Sequence, residues 1–282
     1  MATALFSFVN YFDLLSASLS ASSTATPGNL TVGNLQDPHL RRIWRSGSTT
    51  ATLTADWGST TAAVGVGVLA VAQPPDPGLF VQDYQDGRGH YNGWMAPTDT
   101  IRHRLSTSSP TDGDLYDSTA LAGGWTAGYG LSVNVLPTAV SPRYWRADLV
   151  ASTPDYIDLG RMWAGPILSV LNDVGYNWSD QWDDGAIVTS VPRSGAEFVD
   201  LGMRRRVLDL SLPALTESEA KGTFKELTRI AGIGGQVMCI ISPSDATYAP
   251  TQAIIGRIKQ VNPITQSNPA FYSTSFTITQ TL

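Results

Sequence analysis

Cys239 is the only cysteine in 282 residues, so no disulfide can form within the chain and packing must hold the fold. It sits in the run Val237-Met238-Cys239-Ile240-Ile241, where it reads as a small buried hydrophobe and not as a nucleophile. Charge is also scarce, at 15% of residues, with 18 basic and 24 acidic side chains and a net charge of −6. The only basic cluster of note is Arg204-Arg205-Arg206, so nucleic acid is not expected as a partner. No apolar run is long enough to cross a bilayer, and no membrane insertion is expected. The apolar patch Ala4 to Val9 has no basic stretch before it and is followed closely by Asp13, so a secretory leader is not expected and synthesis in the cytoplasm is. The three histidines, His39, His90 and His103, lie far apart at no ligand spacing, and neither a metal nor a cofactor is expected. Ser194-Gly195 lacks the flanking glycine of a nucleophile elbow, and no glycine-rich phosphate loop precedes a helix.

What is plentiful is turn formers and large aromatics: 26 glycines, 17 prolines and 8 tryptophans. That profile suits sandwiches and barrels, and the length suits roughly two domains. The chain is organised around Pro142 to Leu149 and the closely following Asp158 to Gly165. Residues around Ala147 and Leu149 alternate at the strand period, and Gly160 and Gly165 frame a second aromatic-bearing strand. Upstream, residues 1–26 read as an extended arm or strand. Thr52 to Gly58 and Ile101 to Ser106 read as strands, and Ala62 to Ala72 as a central strand covered on both faces or a short buried helix. Between them, residues 73–97 form a long loop rich in Pro, Gly, Asp and aromatics, a length that tends to carry function.

The order Asn29-Leu30, Trp44-Arg45-Ser46, Leu53 to Ser59, Ile101 to Ser106, Tyr116-Asp117-Ser118, Arg143 to Arg146 and Gly160 to Gly165 resembles the discoidin-like, galactose-binding jelly roll over residues 25–168. That resemblance implies a sandwich that binds glycans or other surface ligands through loops at one end.

After residue 169 the composition changes. Val207 to Leu212 places its leucines on one strand face. Thr216 and Glu219 form a capping box for a helix over about 216–231, with Ala220, Phe224, Leu227 and Ala231 as its apolar stripe and Gly232 as its stop. Strands follow at Gln236 to Ile241, Ala253 to Gln260 and Phe271 to Leu282. With Gly235-Gln236-Val237 and Ile254 to Ile258, this order is similar to the tube-type domains of siphophage tails, above all distal tail and baseplate proteins. The similarity implies a virion structural protein at the tail tip, assembled as a homo-oligomeric ring of six or three copies with tail tube and hub partners.

The expected fold class is therefore mainly β: an N-terminal jelly-roll sandwich with an arm (1–168) and a C-terminal barrel or sandwich flanked by one helix (169–282), with few contacts crossing near 166–176. The ligand candidates are Tyr84, Tyr91, Trp94 and Trp125, whose rings either stack on the sugars of a host polysaccharide or pack against the sandwich or a neighbouring subunit. The assembly candidates are Arg204, Arg205 and Arg206 with Phe276 and Ile278, on a terminal strand expected to offer a free pairing edge. Asp83, Asp86 and Asn92 match no calcium-loop spacing. Asp180, Asp183 and Asp184 read as a solvated turn and not a hydrolase dyad, so no catalytic residue is expected. A soluble glycan-binding protein and, more weakly, a tail-associated glycan hydrolase are the alternatives.

Overall fold

The computed structural model describes all but residues 1–2, 27, 75–93, 97, 123–129, 153–154, 184–186, 191–196, 201–204, 246–248, 267 and 282. The described chain is mainly β, and its elements stack as four layers with an apolar core in each gap.

The outer layer is a six-stranded sheet. Its middle is Tyr144–Val150, paired antiparallel on one side with Thr50–Asp56 and on the other with Thr100–Ser106. Ser18–Ala21 and two short strands complete it. Trp145, Ala147 and Leu149 point inward at the strand period and are buried. The second layer is the three-stranded sheet Arg161–Pro166, Val66–Ala72 and Leu131–Val140, in that order with Val66–Ala72 in the middle. Between these two sheets lies the sandwich core, in which Phe12 packs against Trp57 and Trp145 with ring centroids 5.5 and 4.9 Å apart. This is the jelly roll.

All seven residues of Val66–Ala72 are buried, and the reason lies in the third layer. Val66, Leu69 and Val71 enter the sandwich core, whereas Val68, Ala70 and Ala72 pack on the opposite side with Met238, Ile240, Ala253 and Ile255. A strand covered on both faces needs an unbroken apolar run, as the sequence has.

The third layer is an eight-stranded antiparallel sheet. Its order along the main path is Leu168–Ser169, Leu5–Ser7, Gln236–Ile240, Ala253–Val261, Tyr272–Gln280, Arg205–Leu215 and Ser179–Asp183. Among the described residues its two end strands do not pair with each other, so it is an open sheet. The fourth layer is the helix. It runs through a π-helical segment Glu219–Phe224 into Lys225–Ala231, and its apolar stripe Ala220, Phe224, Leu227 and Ala231 covers the far face of the sheet. The capping box forms as read: the Thr216 N–H and hydroxyl both donate to Glu219 Oε2 at 2.7 Å, and the Glu219 N–H donates back to Thr216 Oγ1 at 3.3 Å. Gly232 ends the helix at φ +50°.

Three expectations need correcting. Few contacts were expected to cross near 166–176, but the apolar layer between second and third sheets joins the two halves over a broad face. Each large side chain buried there contributes roughly 1.5–3 kcal/mol. The N-terminal arm is also built into the far half: Leu5–Ser7 pairs with Met238, Cys239 and Ile240. Phe6 stands among the rings of Phe224 and Phe276 at 5.8 and 5.7 Å. Finally, Tyr272–Gln280 has no free edge. It is an interior strand, paired with Arg205–Leu215 on one side and Ala253–Val261 on the other. Its uncharged Ser/Thr-rich sequence is compatible with that interior place.

Candidate binding site

Two long connections leave one end of the sandwich, and their stems are held together. The Gln73 N–H donates to the Gly130 carbonyl at 2.7 Å, which joins the stems on either side of residues 75–93 and 123–129. Gly130 adopts φ +57°, and a Cβ there would stand 3.3 Å from the Trp94 ring. Glycine is therefore needed for both conformation and space. Trp94 is half-buried and its Nε1 donates to the Pro74 carbonyl at 3.0 Å. The far stem is pinned by Asp99, 2% exposed. Its carboxylate accepts from the Ala96 N–H at 2.7 Å and from the Ser152 N–H and hydroxyl at 2.8 and 2.6 Å.

Of the four ligand candidates, Trp94 is thus a stem residue with its N–H committed to the backbone. Tyr84, Tyr91 and Trp125 lie outside the described residues, as do Asp83, Asp86 and Asn92. What the geometry supplies is a shared root for the connections that carry them.

The assembly candidates separate. Phe276 (6% exposed) and Ile278 (0%) belong to the core under the helix, so the expectation that they form a contact surface is corrected. Strand alternation turns them inward, beside Leu208 and Leu210. Arg206 is 3% exposed. It binds Asp180 through Nε at 2.8 Å and through Nη2, and donates from Nη1 to the Ala253 carbonyl at 2.8 Å. It is a structural ion pair, satisfied in place. Arg205 is exposed, directly opposite Asp183 in the strand register. Arg204 and Asp184 lie outside the described residues. Asp180 and Asp183 are three apart on one strand and so point to opposite faces, which leaves them no common substrate site.

Two polar groups, His103 and Cys239, lie buried in the cores, and His103 Nε2 has no hydrogen-bond partner among the described residues. Trp145 Nε1 donates to His103 Nδ1 at 3.3 Å, and burial depresses the His103 pKa from 6.5 to about 4. Burial pushes the Cys239 thiol up, so it stays protonated and inert. Arg102 holds the Asp117 carboxyl down at about 2. No cluster of metal-binding residues occurs among the described residues.

The residue the sequence reading missed is Arg161, 1% exposed. It donates to Asp13 Oδ2 at 2.6 Å and Gln236 Oε1 at 3.0 Å. An arginine inside an otherwise apolar strand flanked by glycines was the available signal.

No protein-family model matches the sequence, and no curated protein does. Among solved structures, the chain is similar to the family 32 carbohydrate-binding module from C. perfringens NanJ in complex with galactose. The identity is 10%, over 56% of this chain and 98% of the module, with a TM-score of 0.39. It is also similar to the chitosan-binding module 1 of a Paenibacillus sp. IK-5 chitosanase/glucanase, at 16% identity over 56% and 98% of the two chains, TM-score 0.39. A third is the fucose-binding module SpX-3 of Streptococcus pneumoniae, at 9% identity over 55% and 96%, TM-score 0.36.

Proposed function

We propose that this is a non-catalytic structural protein that works in an assembly of copies through its C-terminal half and presents a ligand-binding sandwich. The observation that supports assembly most directly is where large apolar side chains reach solvent. Among the described residues most of them, Leu171, Tyr176, Trp182, Phe198, Ile230, Ile233 and Phe271, come after residue 170, while Leu15, Val64 and Val150 come before it. In addition, Ser179–Asp183, exposed at every position, pairs on one side only among the described residues. Exposed apolar side chains and an unpaired strand edge are both common in contact surfaces. Together with the likeness to siphophage distal tail proteins, this favours a ring of six or three copies at the tip of a phage tail, next to tube and hub proteins. Sedimentation of the full chain tests it. A defined oligomer that reverts to monomer in Trp182→Asp with Phe198→Asp supports the reading, and a monomer at all concentrations refutes it.

A second reading rests on the joined loop stems. The stems that flank residues 75–93 and 123–129 are joined through Gln73 and Gly130, and the sequence of those segments carries Tyr84, Tyr91 and Trp125, ring types that stack on sugars. Binding to bacterial polysaccharide that persists when Tyr91 and Trp125 are both changed to Ala would refute it. The same sandwich in a free glycan-binding protein would bind sugar without forming a ring, which separates the two readings.

A further inference from the structure

At the margin between the sandwich and the eight-stranded sheet, beside the loop at His39, lies a cleft of about 490 Å³. Three cations line it, Arg205, Arg257 and Lys259, with Asp183 as the one acid among the lining residues. On a chain of net charge −6, this is a local reversal of sign. None of the three cations has a counter-ion or hydrogen-bond acceptor among the described residues, in contrast to Arg206 on the same strand as Arg205.

Two further observations point inward. Arg257 Nε and the hydroxyl of Thr279 are both closed off from solvent without a hydrogen-bond partner. The two residues are register neighbours across adjacent strands, so the unsatisfied donors lie side by side. Leaving a guanidinium N–H buried and unpaired is unfavourable unless a ligand completes it. The strand is also irregular here. Its pairing shifts between Ile258 and Gln260, which places Lys259 in a bulge, a common device for re-aiming a side chain beside a site.

We propose that this cleft binds a small hydroxylated oxyanion, a sugar acid or sugar ester whose carboxylate, sulfate or phosphate sits on Arg257 and Lys259. The planar guanidinium suits an oxyanion with paired oxygens, and Lys259 adds a point charge. The volume falls within the range of small-molecule sites and exceeds what one inorganic ion fills. Gln280 and the Thr279 hydroxyl offer hydrogen bonds to ring hydroxyls, and exposed Ile233 gives an apolar wall. None of the loop-stem residues Gln73, Trp94, Asp99 and Gly130 lines the cleft, so the proposal does not depend on sugar binding there.

Calorimetric titration of the full chain with glucuronate, glucose 6-sulfate, glucose 6-phosphate and neutral glucose tests it. Saturable binding of at least one charged probe, weakened by added salt and absent for glucose, is expected, and the strongest of the three identifies the oxyanion. Arg257→Gln should weaken that binding about tenfold or more, as for loss of a charged hydrogen bond. Lys259→Gln, at an exposed bulge where folding is not at stake, should weaken it several-fold. Glucose binding as tightly as the charged probes, no saturable binding of any probe, or unchanged affinity in a folded Lys259→Gln protein would overturn the proposal.

Discussion

Arg161 on the inner sandwich sheet donates from Nε to Gln236 Oε1 on the third-layer sheet at 3.0 Å. The Gln236 amide in turn donates to the Pro38 carbonyl at 2.8 Å and to Thr281 Oγ1 at 3.0 Å. One glutamine therefore ties together a sandwich loop, a sandwich strand and the C-terminal end of the sheet. With the apolar layer beside it, this is expected to make the two halves unfold as a single cooperative body. Gln236→Leu should cost about 1–3 kcal/mol, because a buried guanidinium N–H loses its acceptor. Denaturant unfolding followed by tryptophan fluorescence and by circular dichroism should give one coincident transition. Two separated transitions would show the halves to be independent.

Phe6→Ala should destabilise the whole chain by about 3–5 kcal/mol, as for other large aromatic truncations in a core. Its ring is 2% exposed and touches Phe224 and Phe276. A midpoint in denaturant within error of the parent would mean that the first strand is dispensable.

Removal of residues after Pro269 takes away the interior strand Tyr272–Gln280 and with it Phe276 and Ile278. The expected outcome is loss of the cooperative transition, not a folded chain that merely fails to assemble. A sharp unfolding transition in the truncated protein would contradict the interior placement.

His103 gives stability a defined pH window. Its folded pKa of about 4 lies below the ordinary 6.5, so the unfolded chain binds the proton more readily. The contribution is complete above pH 6.5 and is lost as pH falls from there toward 4, by at most about 3 kcal/mol. Asp117, held at about 2 by Arg102, acts lower: its contribution is present above the ordinary carboxylate pKa and fades as pH falls toward 2. His103→Gln should flatten the upper window and leave the lower one. An unchanged slope between pH 6.5 and 4 in that variant would assign the loss to other groups.

Gly165→Ala should impair folding, since its Cβ would collide with the Val9 carbonyl oxygen. Gly222→Ala, where nothing lies within 4 Å, is the matched control and should be neutral or slightly stabilising. Equal melting temperatures for the two variants would refute the close approach.

Local features were the legible part of this chain. The capping box, the helix stripe and the alternation around Trp145, Ala147 and Leu149 each depend on neighbours within a few residues, and sequence spacing reports such contacts directly. The doubly covered strand at Val66–Ala72 was legible because burial on both faces demands an unbroken apolar run. Partner choice was not. Nothing local to Leu5–Ser7 specifies Met238–Ile240 as its neighbour, and the uncharged face of the last strand fits an open edge and an interior strand equally well. For the same reason Phe276 and Ile278 read as surface candidates, although the two flanking strands turn them into core. Arg206 stood in a run of three arginines whose members only alternation could separate: one buried on Asp180, the next facing the cleft.

The pairing of Leu5–Ser7 with Met238–Ile240 also sets a timetable for the growing polypeptide. At roughly 5–20 residues per second, the early strand leaves the ribosome on the order of ten to fifty seconds before its partner. During that interval Phe6 has no ring to pack against, and the strand's amide groups have no neighbour except solvent or a stranger. The sandwich can condense meanwhile, because its sheets draw on residues 18–166. The eight-stranded sheet must wait for the chain to be almost complete. Mispairing of that early segment between nascent chains is therefore the expected failure during overproduction, and slower synthesis should aggravate it.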